Sequence, residues 1–184
     1  MKKNIEIVRE CRINPCVGVS VNDLLCLLDP RIDLTALFDH ALPDDDHDIK
    51  VASHPGIMLV ARTLAQMSTP EVYAALRAES LRPVPPLGLI IFAVQHPVLA
   101  EEMMPIAMGE KAIPVSWGIL SSPDDHGLRR EIARHRCRSY FAFKPCSIDP
   151  SAMAIDLAPE RDGWPEGTHL LVAPRNATRE NRHL

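Results

Sequence analysis

Apolar residues recur at helical spacing through the first two thirds of the chain and alternate with polar ones nearer its C-terminus. Residues 3–9 hold too few apolar positions to assign, and Asn14-Pro15 marks a turn. Ser20 is a good N-cap, with Asp23 where a capping acid belongs. Leu24, Leu25, Leu27 and Leu28 then predict a short buried helix over 21–28, ended by Asp29-Pro30. Asp33 can cap a second helix over 34–41, with Leu34, Leu37, Phe38 and Ala41 at helical spacing. Residues 43–48 read as an exposed acidic loop. A third helix is expected over 55–67, apolar almost all round and therefore central. Thr69-Pro70-Glu71 is a helix start, with Thr69 as the cap, Pro70 at the first helical position and Glu71 at the positive end of the dipole.

The apolar run from Leu87 to Val94 fits a buried strand or a short buried helix. Another helical turn is expected over 98–104, stopped by Pro105. Beyond it, 113–120, 139–143 and 168–173 are strand-like, with Tyr140 opposed to Phe141 and Phe143. A helix over 128–137, capped by Asp124 or Asp125, separates the first two. The expected fold class is α+β: a helical N-terminal two thirds packed with a small antiparallel C-terminal sheet. Residues 1–175 are expected as one domain, with 176–184 as a polar tail.

Composition changes this picture little. At 184 residues the chain can bury a core without disulfide or metal, and 46% hydrophobic with 24% charged residues is ordinary for a globular protein. Seventeen prolines against eight glycines imply short elements and rigid connections, and only 4% aromatics imply an aliphatic core. The five cysteines, Cys11, Cys16, Cys26, Cys137 and Cys146, include no C-x-x-C pair. Their odd number suits free thiols in a cytoplasmic setting. Residues 1–12 lack the apolar stretch of a secretory signal. The longest apolar run falls far short of the ~20 residues of a membrane helix.

Three segments, STPEVYAALRAESLRP, LGLIIFAVQHPVLAEEMMPIAMG and HLLVAPR, follow one another over 68–109 and 169–175. Their order resembles a loose group of small bacterial proteins of unknown function. In that group a TPE…LRP helix leads into an AF…HPEL…FPIVALG segment, and the chain closes on FLAVR. Met104 stands where the pattern has Phe, and Pro174 interrupts the final motif. The resemblance implies a helix over 87–94 and brings no activity or catalytic residue.

Candidate chemistry gathers in three places. Asp39, His40, Asp44, Asp45, Asp46, His47 and Asp48 are the residue types that hold divalent ions, with His40, Asp44, Asp46 and His47 the candidate ligands. An EF-hand loop from Asp44 would need Gly and Glu where Ile49 and Pro55 stand, so the plainer expectation is a solvated acidic loop. Arg129, Arg130, Arg134 and Arg136, with Arg138 and His135, could grip phosphates. On a helix, however, they spread over more than half the circumference, as on a salt-bridged surface helix. Cys137 lies between Arg136 and Arg138, which could lower its thiol pKa and make it a nucleophile. His54 and His96 precede prolines and read as turn residues, although His96 could form an acid–base pair with Glu101 or Glu102.

No P-loop, dinucleotide fingerprint or HExxH motif occurs, and no cofactor is expected. The leading expectation is a noncatalytic interaction or accessory protein whose partner is another protein or a second copy of itself, with no membrane. The alternatives are a small metal-dependent or cysteine-based hydrolase, and a nucleic-acid binder acting through 129–138. The net charge of -4 speaks against the last without removing a local basic patch.

Overall fold

The computed structural model describes residues 4–15, 19–35, 56–108, 113–118, 134–146, 149, 151–160 and 163–175, of which 21–22, 113–118, 134–139 and 159–160 by backbone alone. Among the described residues, eight strands form one mixed sheet: β1 (Ile5–Arg12), β2 (Ile57–Thr63), β3 (Leu81–Pro83), β4 (Ile106–Ala107), β5 (Ile113–Gly118), β6 (Arg134–Pro145), β7 (Met153–Glu160) and β8 (His169–Pro174). The helices α1 (Val21–Leu27), α2 (Thr69–Ala78), α3 (Pro86–Gln95) and α4 (Pro97–Met103), all short, pack on it. The hydrogen-bonded order is β1-β2-β8-β4-β6-β5, with β3 on β8 and β7 on β6. All pairs are antiparallel except β4 with β8, where Ile106 lies opposite Leu170.

The expected helical N-terminal two thirds is therefore wrong. Strands run from residue 5 to residue 174 and make a single sheet rather than a small C-terminal one. The largest error is the helix expected over 55–67, which is β2. This strand lies between β1 and β8 and is covered on both faces. Met58 and Val60 enter one core with Leu171 and Ala173, while Leu59 and Ala61 enter the other with Leu170 and Val172. A strand buried on both faces has no polar alternation, and its apolar run imitates a central helix.

α3 is the element that does what was expected of 55–67. Its residues Gly88, Leu89, Ile90, Ile91, Phe92 and Ala93 are all buried, so of the two alternatives for 87–94 the helix holds. It fills the first core with Leu24 of α1, Ala100 of α4 and Phe141, Phe143, Ile155 and Leu157 of β6 and β7. On the other face Val72 and Leu76 of α2 pack with Trp164, Tyr140 and Ala142. The opposition of Tyr140 to Phe141 and Phe143 thus separates two cores, not core from solvent.

β1 escaped the pattern analysis because its register shifts between Ile7 and Arg9. Ile5 lies on the α2 face and Cys11 on the α3 face, although both are odd-numbered. A bulge inserts one residue and switches the faces that follow it. No single period describes such a strand.

Local signals fared better. Ser20 and Asp23 form a reciprocal capping box on α1, with the Ser20 hydroxyl accepting from the Asp23 amide at 3.1 Å. The helix expected after residue 68 is α2, but its cap is Ser68, which boxes with Glu71, and Thr69 is its first residue. α4 and β8 lie within a residue of their expected bounds, and β5 covers the strand expected over 113–120 as far as Gly118, with 119–120 outside the described residues. Asp33 does accept the Thr35 amide at 3.0 Å, while most of the helix expected over 34–41 lies outside the described residues. The helix expected over 128–137 is contradicted where it is described, because 134–137 belong to β6. Among the described residues no helix is long and apolar enough to cross a membrane.

Candidate functional site

Among the described residues, Asp29, Arg31, Ile32, Glu101, Ser151, Ala152 and Met153 line a cleft of about 200 Å³. The chain reaches it by three routes: the Asp29-Pro30 stop after α1, the outer side of α4, and the turn into β7. Arg31 closes on Asp29 within this single turn. Its Nε donates to Oδ1 at 3.0 Å, its Nη2 to Oδ2 at 2.6 Å, and its amide to Oδ1 at 2.9 Å. The guanidinium hydrogen bonds, followed by the amide, hold the Asp29 carboxyl down to about 2. The Arg31 side chain is 79% exposed, so the pair is water-screened and adds little to stability.

Ser151 is held on the rim of the cleft by a local turn. Its hydroxyl and amide both donate to Asp149 Oδ1, at 2.6 and 3.0 Å, in a local turn. A volume of about 200 Å³ is also below the roughly 300–1,000 Å³ of typical ligand pockets.

Behind the cleft, residue 33 adds an isolated parallel bridge to β7 at Ala154. The Asp33 amide donates to Met153 O at 2.9 Å, and the Ile155 amide donates to Asp33 O at 3.0 Å. The Asp33 carboxylate accepts from the Thr35 amide and hydroxyl on one oxygen and from the Cys146 thiol, at 3.7 Å, on the other. Those bonds, the Thr35 amide first, lower its pKa. The arrangement pins the loop after α1 to the sheet.

Both histidines whose side chains are described also act as ties. The His96 ring donates through Nε2 to Arg12 O at 2.9 Å and lies 5.6 Å from the Phe92 ring, centroid to centroid. Beside it the Gln95 amide clamps Asn14, accepting from its N–H at 2.8 Å and donating to its carbonyl at 3.1 Å. Together they bind the end of β1 to the α3–α4 corner, and no ion pair joins His96 to Glu101 or Glu102 among the described residues. His169 donates through Nδ1 to Met103 O at 2.7 Å, tying β8 to the end of α4.

The candidate metal ligands His40, Asp44, Asp46 and His47 lie outside the described residues, as do Arg129 and Arg130. Among the described residues no group of three His, Cys, Asp or Glu could hold a metal ion. Arg134, Arg136 and Cys137 fall on β6. Their backbone register places Arg134 opposite Gly118, Arg136 opposite Ser116 and Cys137 opposite Val115. On a strand, Arg134, Arg136 and Arg138 share one parity and Cys137 with His135 the other, a tighter grouping than the helix allowed.

The Asp29–Arg31–Glu101 cleft was missed by sequence reasoning. Its one signal, D-P-R after an amphipathic run, reads equally well as a helix stop. No family model, curated protein or solved structure matches the chain.

Proposed function

We propose that the protein is a noncatalytic interaction or accessory protein of the cytoplasm, whose partner is another protein or a second copy of itself. One observation carries this reading: among the described residues, several polar side chains with chemical potential are engaged in holding the chain to its own sheet. His96 and His169 bind backbone carbonyls, Cys146 reaches Asp33, and Ser151 is bound within its own turn. Lys144 is likewise engaged, with Asp156 at 2.8 Å and Leu157 O at 3.0 Å. General acid–base work needs a titratable group free to meet a substrate proton, and these groups already have structural partners. The free thiols of Cys11, Cys26 and Cys146 suit a reducing compartment.

Native mass spectrometry of the full chain purified from its own host without chelators tests the reading. The expected species carries a second protein or a second copy of the chain. A chain carrying a metal ion at fixed stoichiometry would overturn it in favour of a metal-dependent hydrolase using His40, Asp44, Asp46 and His47.

A further inference from the structure

We propose that the cleft beside α4 is a docking site for a single lysine side chain of a partner protein, with Glu101 supplying the charge that meets its ammonium. The inference rests on the protein-partner reading and names the chemistry of the contact. Size comes first. An apolar cavity of about 150 Å³ takes up a benzene ring. The cleft, at about 200 Å³, therefore has room for the four methylenes and the nitrogen of a lysine, but not for a typical small-molecule ligand. Its walls suit such a stem, because Ile32 and Met153 are apolar and half-buried. A lysine lays its methylenes along apolar surface of this kind and keeps its charge at the water's edge.

Charge decides the sign of the occupant. The ionisable groups lining the cleft are the carboxylates of Asp29 and Glu101 and the guanidinium of Arg31. Asp29 and Arg31 answer each other, since both carboxylate oxygens accept from the guanidinium. Glu101 is left over. It stands exposed on α4, one residue past the buried Ala100, and among the described residues no hydrogen bond or ion pair engages it. It acts on Arg31 only through space, and less strongly than Asp29 does. The lining thus carries one unanswered negative charge, which a cation complements. Ser151 adds an acceptor from a separate segment, because its hydroxyl spends its proton on Asp149 at 2.6 Å and keeps its lone pairs. Acceptors on separate segments suit the rotatable donors of an ammonium better than the planar fork of a guanidinium.

Methyl and amide NMR of the full chain, titrated with N-acetyl-lysine N-methylamide, tests the proposal. Saturable shifts should gather at Ile32, Glu101 and Met153. The norleucine analogue, with the same four carbons and no ammonium, should bind roughly tenfold more weakly, and so should the lysine probe to E101Q. E102Q removes the same charge from the next residue, outside the cleft lining, and should leave the affinity unchanged. No saturable shift at the cleft, equal affinity for the norleucine or arginine analogue, equal weakening by E102Q, or unchanged affinity in E101Q would each overturn the site. Native mass spectrometry keeps the two failures apart. A partner-bound native species whose chain shows no probe shift strikes the cleft alone. A bare chain whose cleft still takes the probe strikes the protein-partner reading, and with it the partner as the source of the lysine.

Discussion

Thr69 and Trp164 are both buried, and the indole Nε1 donates to Thr69 Oγ1 at 2.8 Å. Trp164 also meets the Tyr140 ring edge-on at 5.5 Å and exchanges two backbone hydrogen bonds with Met67. The turn that delivers it needs Gly163, whose φ is +88° and where a Cβ would lie 2.6 Å from Met67 O. Thr69→Val keeps the shape but strands a buried N–H. It should lower the unfolding free energy by about 1–3 kcal/mol in urea denaturation. Asp29 gives a second residue-scale test. Because its carboxyl is held low, whatever it contributes to stability is present above the ordinary aspartate range and lost as pH falls through about 2. An NMR titration should place its midpoint at about 2, and Arg31→Gln should return it towards the ordinary range.

At the scale of elements, α3 shows how tightly a helix sits against the sheet. A methyl at Gly88 would come within 2.0 Å of Val84 Cγ1, and Val84 is itself buried. Alanine gains up to about 1 kcal/mol of helix propensity over glycine. Overpacking a filled core costs typically about 1–3 kcal/mol. Gly88→Ala should therefore be net destabilising, and a thermal melt showing a raised Tm would contradict the packing described for α3.

The same scale explains what the sequence made legible. Caps are local chemistry, so Ser20–Asp23 and the start of α2 were readable to within a residue. Strands β5 and β8 were readable because their apolar runs are short and bounded by turn residues. β2 was not, because burial on both faces erases its period, and β1 was not, because its bulge changes the period midway. The arginines near residue 134 were noticed, but their grouping depends on whether that segment is helix or strand. Only the pairing of β6 with β5 decides that. The Asp29–Arg31 cleft draws Glu101 and Ser151 from distant parts of the chain, and no local pattern foretells such a meeting.

At the scale of the whole molecule, one mixed sheet carries a core on each face, and Gln95, His96 and His169 fasten strand and helix ends to one another. Everything proposed for partner binding rests on that sheet, and β2 is the strand whose sequence argues most strongly for something else. Hydrogen–deuterium exchange of backbone amides, read by mass spectrometry, tests it most directly. The amides of 58–62 and 170–173 should be among the slowest in the protein. Rapid exchange across 58–62 while 87–94 stays protected would contradict a sheet centred on β2 and β8.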